Sequence, residues 1–215
     1  MGRETKLADV DLITCGDKRS RLEPFFKANG YNPDPNIRRT PAIWAYRQMY
    51  IEPNNRFTLD ILFDKLEMSH TLDLRQRLEV DSPTISVADL LLAKMQIHQI
   101  NEKDIKDTIV LFRAHQLADS DNDCINESYI ARLMSKDWGF YYTVTDNLKK
   151  TKLLLQDYNI DQPDKSDVVS KIDRLLARIE NEPKTSGFKL RARIGEKKKW
   201  YNEVDETIRE VKEWQ

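Results

Sequence analysis

Cysteine is scarce in this sequence: only Cys15 and Cys124 occur, far apart and with no CxxC or Cys/His spacing around them. That excludes a disulfide framework and a conventional structural zinc site, and predicts a reduced, cytoplasmic protein. No run of about 18 apolar residues exists, so no membrane span is expected. The opening MGRETKLADV has no apolar core, so secretion is not expected either. Glycine is sparse at six residues, and none of them builds a GxGxxG or P-loop pattern. Serine and cysteine occur in no triad-like arrangement. Neither sign of charge dominates: 35 Lys and Arg face 36 Asp and Glu, for a net charge of -1. There is no global pull toward nucleic acid or a membrane surface, and any such attraction must be local.

What is present suits a globular chain. The 215 residues are 40% hydrophobic and 33% charged, enough for one sizeable domain or two small ones. The first third alternates strand and helix. ADVDLI (8–13) reads as a strand, and KRSRLEPFFKANGY (18–31) as a helix with Leu22, Phe25 and Phe26 on one side and Gly30 as its stop. After the turn-rich PDPNIRRTPA, the aromatic stretch AIWAYRQMYIEP (42–53) reads as a strand, EPNN as a turn and RFTLDILFDKL (56–66) as a returning strand. A hairpin next to a strand–helix unit predicts a mixed sheet of about four or five strands.

Beyond residue 85 the pattern becomes helical. Ser86 caps SVADLLLAKMQIHQI with Asp89 at the third helical position, and Asn101 caps NEKDIKDTIVLFRAHQ, whose Ile105, Ile109 and Phe112 form one stripe. More helices are expected at NESYIARLMS, YTVTDNLKKTKLLLQDY, SDVVSKIDRLLARIEN and EVDETIREVKEW. The expected organisation is therefore an α/β (α+β) chain, with a sheet region at 1–85 and a helical region at 86–215.

The residues that carry chemistry are carboxylates. Side chains alternate along a strand, so Asp9 and Asp11 share one face while Val10 and Leu12 take the other. Asp60 interrupts the later apolar strand TLDILFD in the same way. Hard divalent cations take oxygen ligands, and magnesium is commonly held by one or two carboxylates together with substrate phosphates. A pair of such ions can activate an attacking oxygen and stabilise a leaving one. The alternative is that Asp9 and Asp11 lie on the solvent face of an edge strand, where charge discourages aggregation.

The DxD of ADVDLI, followed about fifty residues later by LDILFD, resembles the metal-binding pattern of the polymerase-beta-type nucleotidyltransferase superfamily. The stretch LDILFDKLEMSHTLDLRQRLEVDSPTISVADLLLAKMQIHQINEKDIKD (59–107) more specifically resembles a group of uncharacterised prokaryotic nucleotidyltransferase-like proteins, distantly similar to the nucleotidyltransferase toxins of abortive-infection systems. The likeness extends from about residue 7 to 145 and recurs around KLRARIGEKKKWY. It implies a nucleotidyltransferase-like mixed sheet, Mg2+ or Mn2+ bound by Asp9, Asp11 and Asp60, and a nucleoside triphosphate as substrate. It further implies that Asp60 assists deprotonation of an acceptor hydroxyl and that Lys94 faces the nucleotide phosphates. Members carry a Gly-Gly or Gly-Ser turn ahead of the DxD strand, where backbone N–H groups cradle the triphosphate. Here eight residues precede Asp9, with Gly2 alone among them, and weak nucleotide retention is expected.

Other residues weigh less. Lys94 is equally readable as a snorkelling surface lysine. His70 reads as structural, and His98 and His115 have no partner pattern. Asp64 either supplements the metal site or is solvated, and Asp104 supports Lys94 or a helix end. The segment KTSGFKLRARIGEKKKWY (184–201) interleaves basic residues with Phe188, Trp200 and Tyr201, a mixture that suits nucleic-acid backbones and stacked bases, or else forms a solvated helix face. Two function classes follow. One is a nucleotidyltransferase acting on a hydroxyl acceptor. The other is a non-catalytic binding or interaction protein on the same fold, such as a partner in a toxin–antitoxin or defence system.

Overall fold

The computed structural model describes residues 9–54 and 56–204. It divides into two compact units. The described residues up to Leu66, together with Asp73–Leu78, form the first, and Glu67–Leu72 with the described residues from Glu79 onward form the second. Its class is mixed α/β, as expected: a mixed sheet with helices, then a helical C-terminal region.

The first unit is built on strand β1 (Asp9–Thr14), helix α1 (Arg19–Ala28), the two-residue strand β2 (Asn32–Pro33), the helical turns α2 (Pro35–Arg38) and α3 (Pro41–Trp44), and strands β3 (Arg47–Ile51) and β4 (Thr58–Phe63). The sheet order is β1-β4-β3-β2, with β1 parallel to β4 and the remaining pairs antiparallel. Helix α1 ends where the sequence signals it: Gly30 takes a φ of 81° and donates its N–H to the Lys27 carbonyl. The stretch 42–53 departs from expectation. Its strand is confined to Arg47–Ile51, because Pro41 at the first helical position sets a φ suited to a helical turn and Pro41–Trp44 forms one.

Alternation gives this sheet two unlike faces. Tyr50, Leu59, Ile61 and Phe63 are buried on one, packed against Val10, Leu22, Phe26, Tyr31, Trp44 and Phe57. Phe26 of α1 stacks on Tyr50 at 4.6 Å between ring centres. Burying each of these large side chains stabilises the unit by about 1.5–3 kcal/mol. The other face carries the polar residues discussed below.

Short strands β5 (Lys65–Glu67) and β6 (Thr71–Asp73) take the chain out of the first unit and back. The second unit then contains α4 (Val87–Met95), α5 (Glu102–Ala114), the parallel pair β7 (Gln116–Ala118) and β8 (Cys124–Asn126), α6 (Glu127–Met134), α7 (Trp138–Leu154), α8 (Gln162–Asn181) and α9 (Ser186–Ile194). Ser86 and Asn101 cap α4 and α5 as expected, accepting from the N–H groups of Asp89 and Asp104. Leu91, Leu92, Met95, Phe112, Ile130, Met134, Leu148, Ile172 and Leu175 are buried in the core of this unit. Gly2 and, from Asp205 onward, the helix expected in EVDETIREVKEW lie outside the described residues.

Candidate functional site

The polar sheet face of the first unit follows from register. In the parallel β1–β4 pair, Asp11 lies directly beside Asp60 and Asp9 beside Thr58. Paired residues in adjacent strands project to the same side, so Asp9, Asp11 and Asp60 share one face. The antiparallel β3–β4 pair sets Met49 beside Asp60 and Arg47 beside Leu62, which brings Arg47 to that face as well.

Arg47 is the group that sequence reasoning missed. Its Nε donates to both Asp60 oxygens, at 2.8 Å to Oδ1 and 3.0 Å to Oδ2, and its Nη2 donates to Oδ2 at 2.5 Å. Both residues are buried, Arg47 at 8% exposure and Asp60 at 7%. Burial works against the guanidinium charge, but the hydrogen bonds and charge of Asp60, with the nearby charge of Asp11, outweigh it and raise the Arg47 pKa. Asp60 is thus neutralised by a cation from β3, on the side of β4 away from Asp9 and Asp11. The signal for it was an arginine beginning a strand whose partner carries a lone aspartate, one diagonal step away.

The fit of a divalent ion can be judged from this donor set. Asp9 and Asp11, two residues apart on one face, match the one or two carboxylates that magnesium uses when phosphate and water complete its octahedron. Asp60 has both oxygens engaged by Arg47 and adds no third ligand in this arrangement. Among the described residues no group of three or more His, Cys, Asp or Glu side chains is placed to hold a metal ion. The three-carboxylate site expected from the sequence is therefore not assembled among the described residues.

Asp64 does not extend the carboxylate row. It lies just past the end of β4 in a left-handed conformation, with φ 64°, and its Oδ1 accepts the N–H of Gly16 at 2.9 Å. Its backbone N–H donates to the Thr14 carbonyl, so it ties the exit of β4 to the exit of β1. A side chain at Gly16 would meet the Asp64 carboxylate at 2.5 Å, which is why glycine follows Cys15 here.

The remaining candidates belong to the second unit. Lys94 on α4 forms ion pairs with Asp104 at 3.2 Å and Asp107 at 3.0 Å, both on α5. Burial opposes its charge, yet the two aspartates raise its pKa. Asp104 fulfils both expected roles, pairing with Lys94 and occupying the capped first turn of α5. His70 is buried, stacked on Phe140 at 5.1 Å, with its Nε2 2.8 Å from the Thr143 hydroxyl. Burial pushes its pKa down to about 4, so it is neutral at physiological pH. His98 stacks on Tyr201 at 3.7 Å.

The basic–aromatic segment is divided between inside and outside. Trp200 packs against Trp138 and Tyr142 and donates its indole N–H to Thr143, and Phe188 is buried against Tyr141. Arg191 lies over the Trp138 ring and donates to the carbonyls of Gly195 and Lys198. These aromatics and Arg191 are committed to packing. Lys189, Arg193, Lys197 and Lys198 are exposed.

Set against family models, curated proteins and solved structures, the chain has no significant match in any of the three. No helix among the described residues is long and apolar enough to cross a membrane.

Proposed function

We propose that the chain is a nucleotidyltransferase-like protein working at the Asp9–Asp11–Asp60 face, moving a nucleotidyl group from a nucleoside triphosphate to a hydroxyl acceptor with magnesium or manganese. The observation that carries this reading is the parallel register that sets Asp60 beside Asp11, on the face Asp9 also shares. The resemblance of residues 59–107 to nucleotidyltransferase-like proteins supports it. Asp9 and Asp11 would hold the divalent ion, whose bound charge neutralises phosphate oxygens and activates the attacking oxygen. The acceptor oxygen bonds to the α-phosphorus, the bond from that phosphorus to the β-phosphate bridge breaks, and pyrophosphate leaves. Asp60 receives the acceptor proton when Arg47 yields one of its two oxygens. Lys94 is not part of this reading, since Asp104 and Asp107 engage it.

The Arg47–Asp60 pair also favours a second reading, a non-catalytic binding protein in which the guanidinium permanently replaces a catalytic cation. One experiment separates the two. The protein is incubated with each nucleoside triphosphate and Mg2+ or Mn2+, and pyrophosphate release is followed beside the melting temperature. Metal-dependent release, lost in Asp9→Asn/Asp11→Asn, supports the transferase. No release and no metal-dependent shift in melting supports the binding protein.

A further inference from the structure

The opposite side of the same sheet carries a second feature. A cleft of about 560 Å³ is lined by Gly16, Asp17, Arg19, Ser20, Glu23, Pro24, Lys27, Trp44 and Gln48. Gln48 alternates with Arg47 on β3, so the cleft opens on the α1 side and is separate from the carboxylate face. Its volume falls in the range of about 300–1,000 Å³ usual for small-molecule sites.

The charges around this cleft are not all satisfied. Glu23 is paired with Lys27 at 2.8 Å and with Arg38 at 3.3 Å, and its pKa is lowered first by the Lys27 hydrogen bond and then by Arg38. Arg19 is different. Its guanidinium lies over the Phe63 ring at 4.6 Å, its Nε is buried without a hydrogen-bond partner, and no carboxylate among the described residues pairs with it. A buried donor left unmade costs about 1–3 kcal/mol, more when charged. The fork rests against an aromatic ring at the edge of an open cleft, its Nε without a partner among the described residues. Pro24 adds a complementary acceptor: proline has no N–H, so the Ser20 carbonyl one turn earlier receives no helical hydrogen bond. Asp17 and Asp64 are the carboxylates nearby that Lys27 and Arg38 do not neutralise, and the Asp64 carboxylate is held by the Gly16 N–H.

We infer that this cleft binds a small organic anion, whose phosphate or carboxylate is received by the Arg19 guanidinium and whose planar, apolar part lies along Trp44 and Pro24. The bidentate geometry of a guanidinium matches both anion types. The Ser20 hydroxyl and carbonyl supply a donor and an acceptor for the ligand's polar groups. The inference stands independently of whether the carboxylate face transfers nucleotides.

The test is titration of the full chain with inorganic phosphate, adenosine monophosphate and benzoate, without divalent metal, followed by amide and indole NMR shifts. Saturable shifts of Gly16, Ser20 and the Trp44 indole N–H are expected with at least one organic anion, at dissociation constants of about 1 mM or below. AMP binding with no benzoate binding assigns the phosphate class, and the reverse assigns the carboxylate class. Arg19→Gln should weaken binding about ten-fold or more, the loss of a charge-assisted contact of about 1.4 kcal/mol, while Arg19→Lys retains part of it. Asp9→Asn should leave it unchanged, which separates this cleft from the carboxylate face. Absence of saturable shifts at Gly16, Ser20 and Trp44 in the unaltered chain overturns the inference, as does equal affinity in a folded Arg19→Gln variant.

Discussion

Arg47 reaches Asp60 diagonally across the β3–β4 ladder, passing over the Met49 side of the pair to close a fork on both carboxylate oxygens with neither partner more than 8% exposed. Removing one partner of such a pair leaves a buried charge uncompensated. Arg47→Met should therefore destabilise the fold by about 3–5 kcal/mol, and the double change Arg47→Met/Asp60→Leu should recover most of that loss. Urea unfolding of the three proteins checks this. Equal stabilities for the single and double variants would show that an Asp60 left without Arg47 carries no penalty.

The same pair governs the response to metal. In Arg47→Met, Asp60 is released to join Asp9 and Asp11, so Mn2+ should raise the melting temperature more than it does in the unaltered chain. Ligand binding restricted to the folded state stabilises by mass action, by about 2.7 kcal/mol at a hundred times the dissociation constant. Adding Asp9→Asn/Asp11→Asn should abolish the response. A metal shift that survives in that triple variant assigns the ion to another part of the chain.

His70 provides a pH signature in the second unit. Its pKa falls from an ordinary 6.5 to about 4 on folding, so the unfolded chain binds the extra proton. Stability from this residue is fully present above about pH 6.5, declines as the pH drops toward 4, and is flat below. His70→Phe, which keeps a ring against Phe140, should reduce the slope of stability against pH in that window. NMR titration of the His70 ring should place its midpoint well below that of an ordinary histidine.

Gly16 and Asp64 form a clamp between strand exits. Gly16→Ala should displace the Asp64 carboxylate and cost about 1–2 kcal/mol, while Asp64→Asn, which tolerates a left-handed backbone and can still accept from Gly16, should cost less. Thermal unfolding of both variants decides between a clamp and a solvated aspartate. Negligible loss in both would argue for the latter.

How much of this was legible in the sequence depended on range. Helix caps at Ser86 and Asn101 and the stop at Gly30 are local codes, readable because donor and acceptor lie within one turn. The shared face of Asp9 and Asp11 followed from alternation alone. That Asp60 sits beside Asp11 depends on pairing between strands some fifty residues apart, which spacing suggests but cannot fix in register. Arg47 was invisible for the same reason: its meaning comes from a cross-strand diagonal, and within its own segment it looks like one more arginine. The helical turn at Pro41 was masked by the aromatic residues around it, whose strand preference belongs to the positions after Tyr46. In 184–201 the composition was read correctly but not its direction, since periodicity did not reveal that Trp200 and Arg191 turn inward onto Trp138.

The excursion of Glu67–Leu72 into the second unit, before the chain returns for Asp73–Leu78, has a genetic corollary. A single cut anywhere between the two units strands part of one inside the fragment of the other. The carboxylate sheet lies wholly within β1 to β4, so a cut after Leu66 carries it whole but leaves Asp73–Leu78 of its unit behind, and a graft of the complete unit must bring residues 67–72 along or replace them with a new connector.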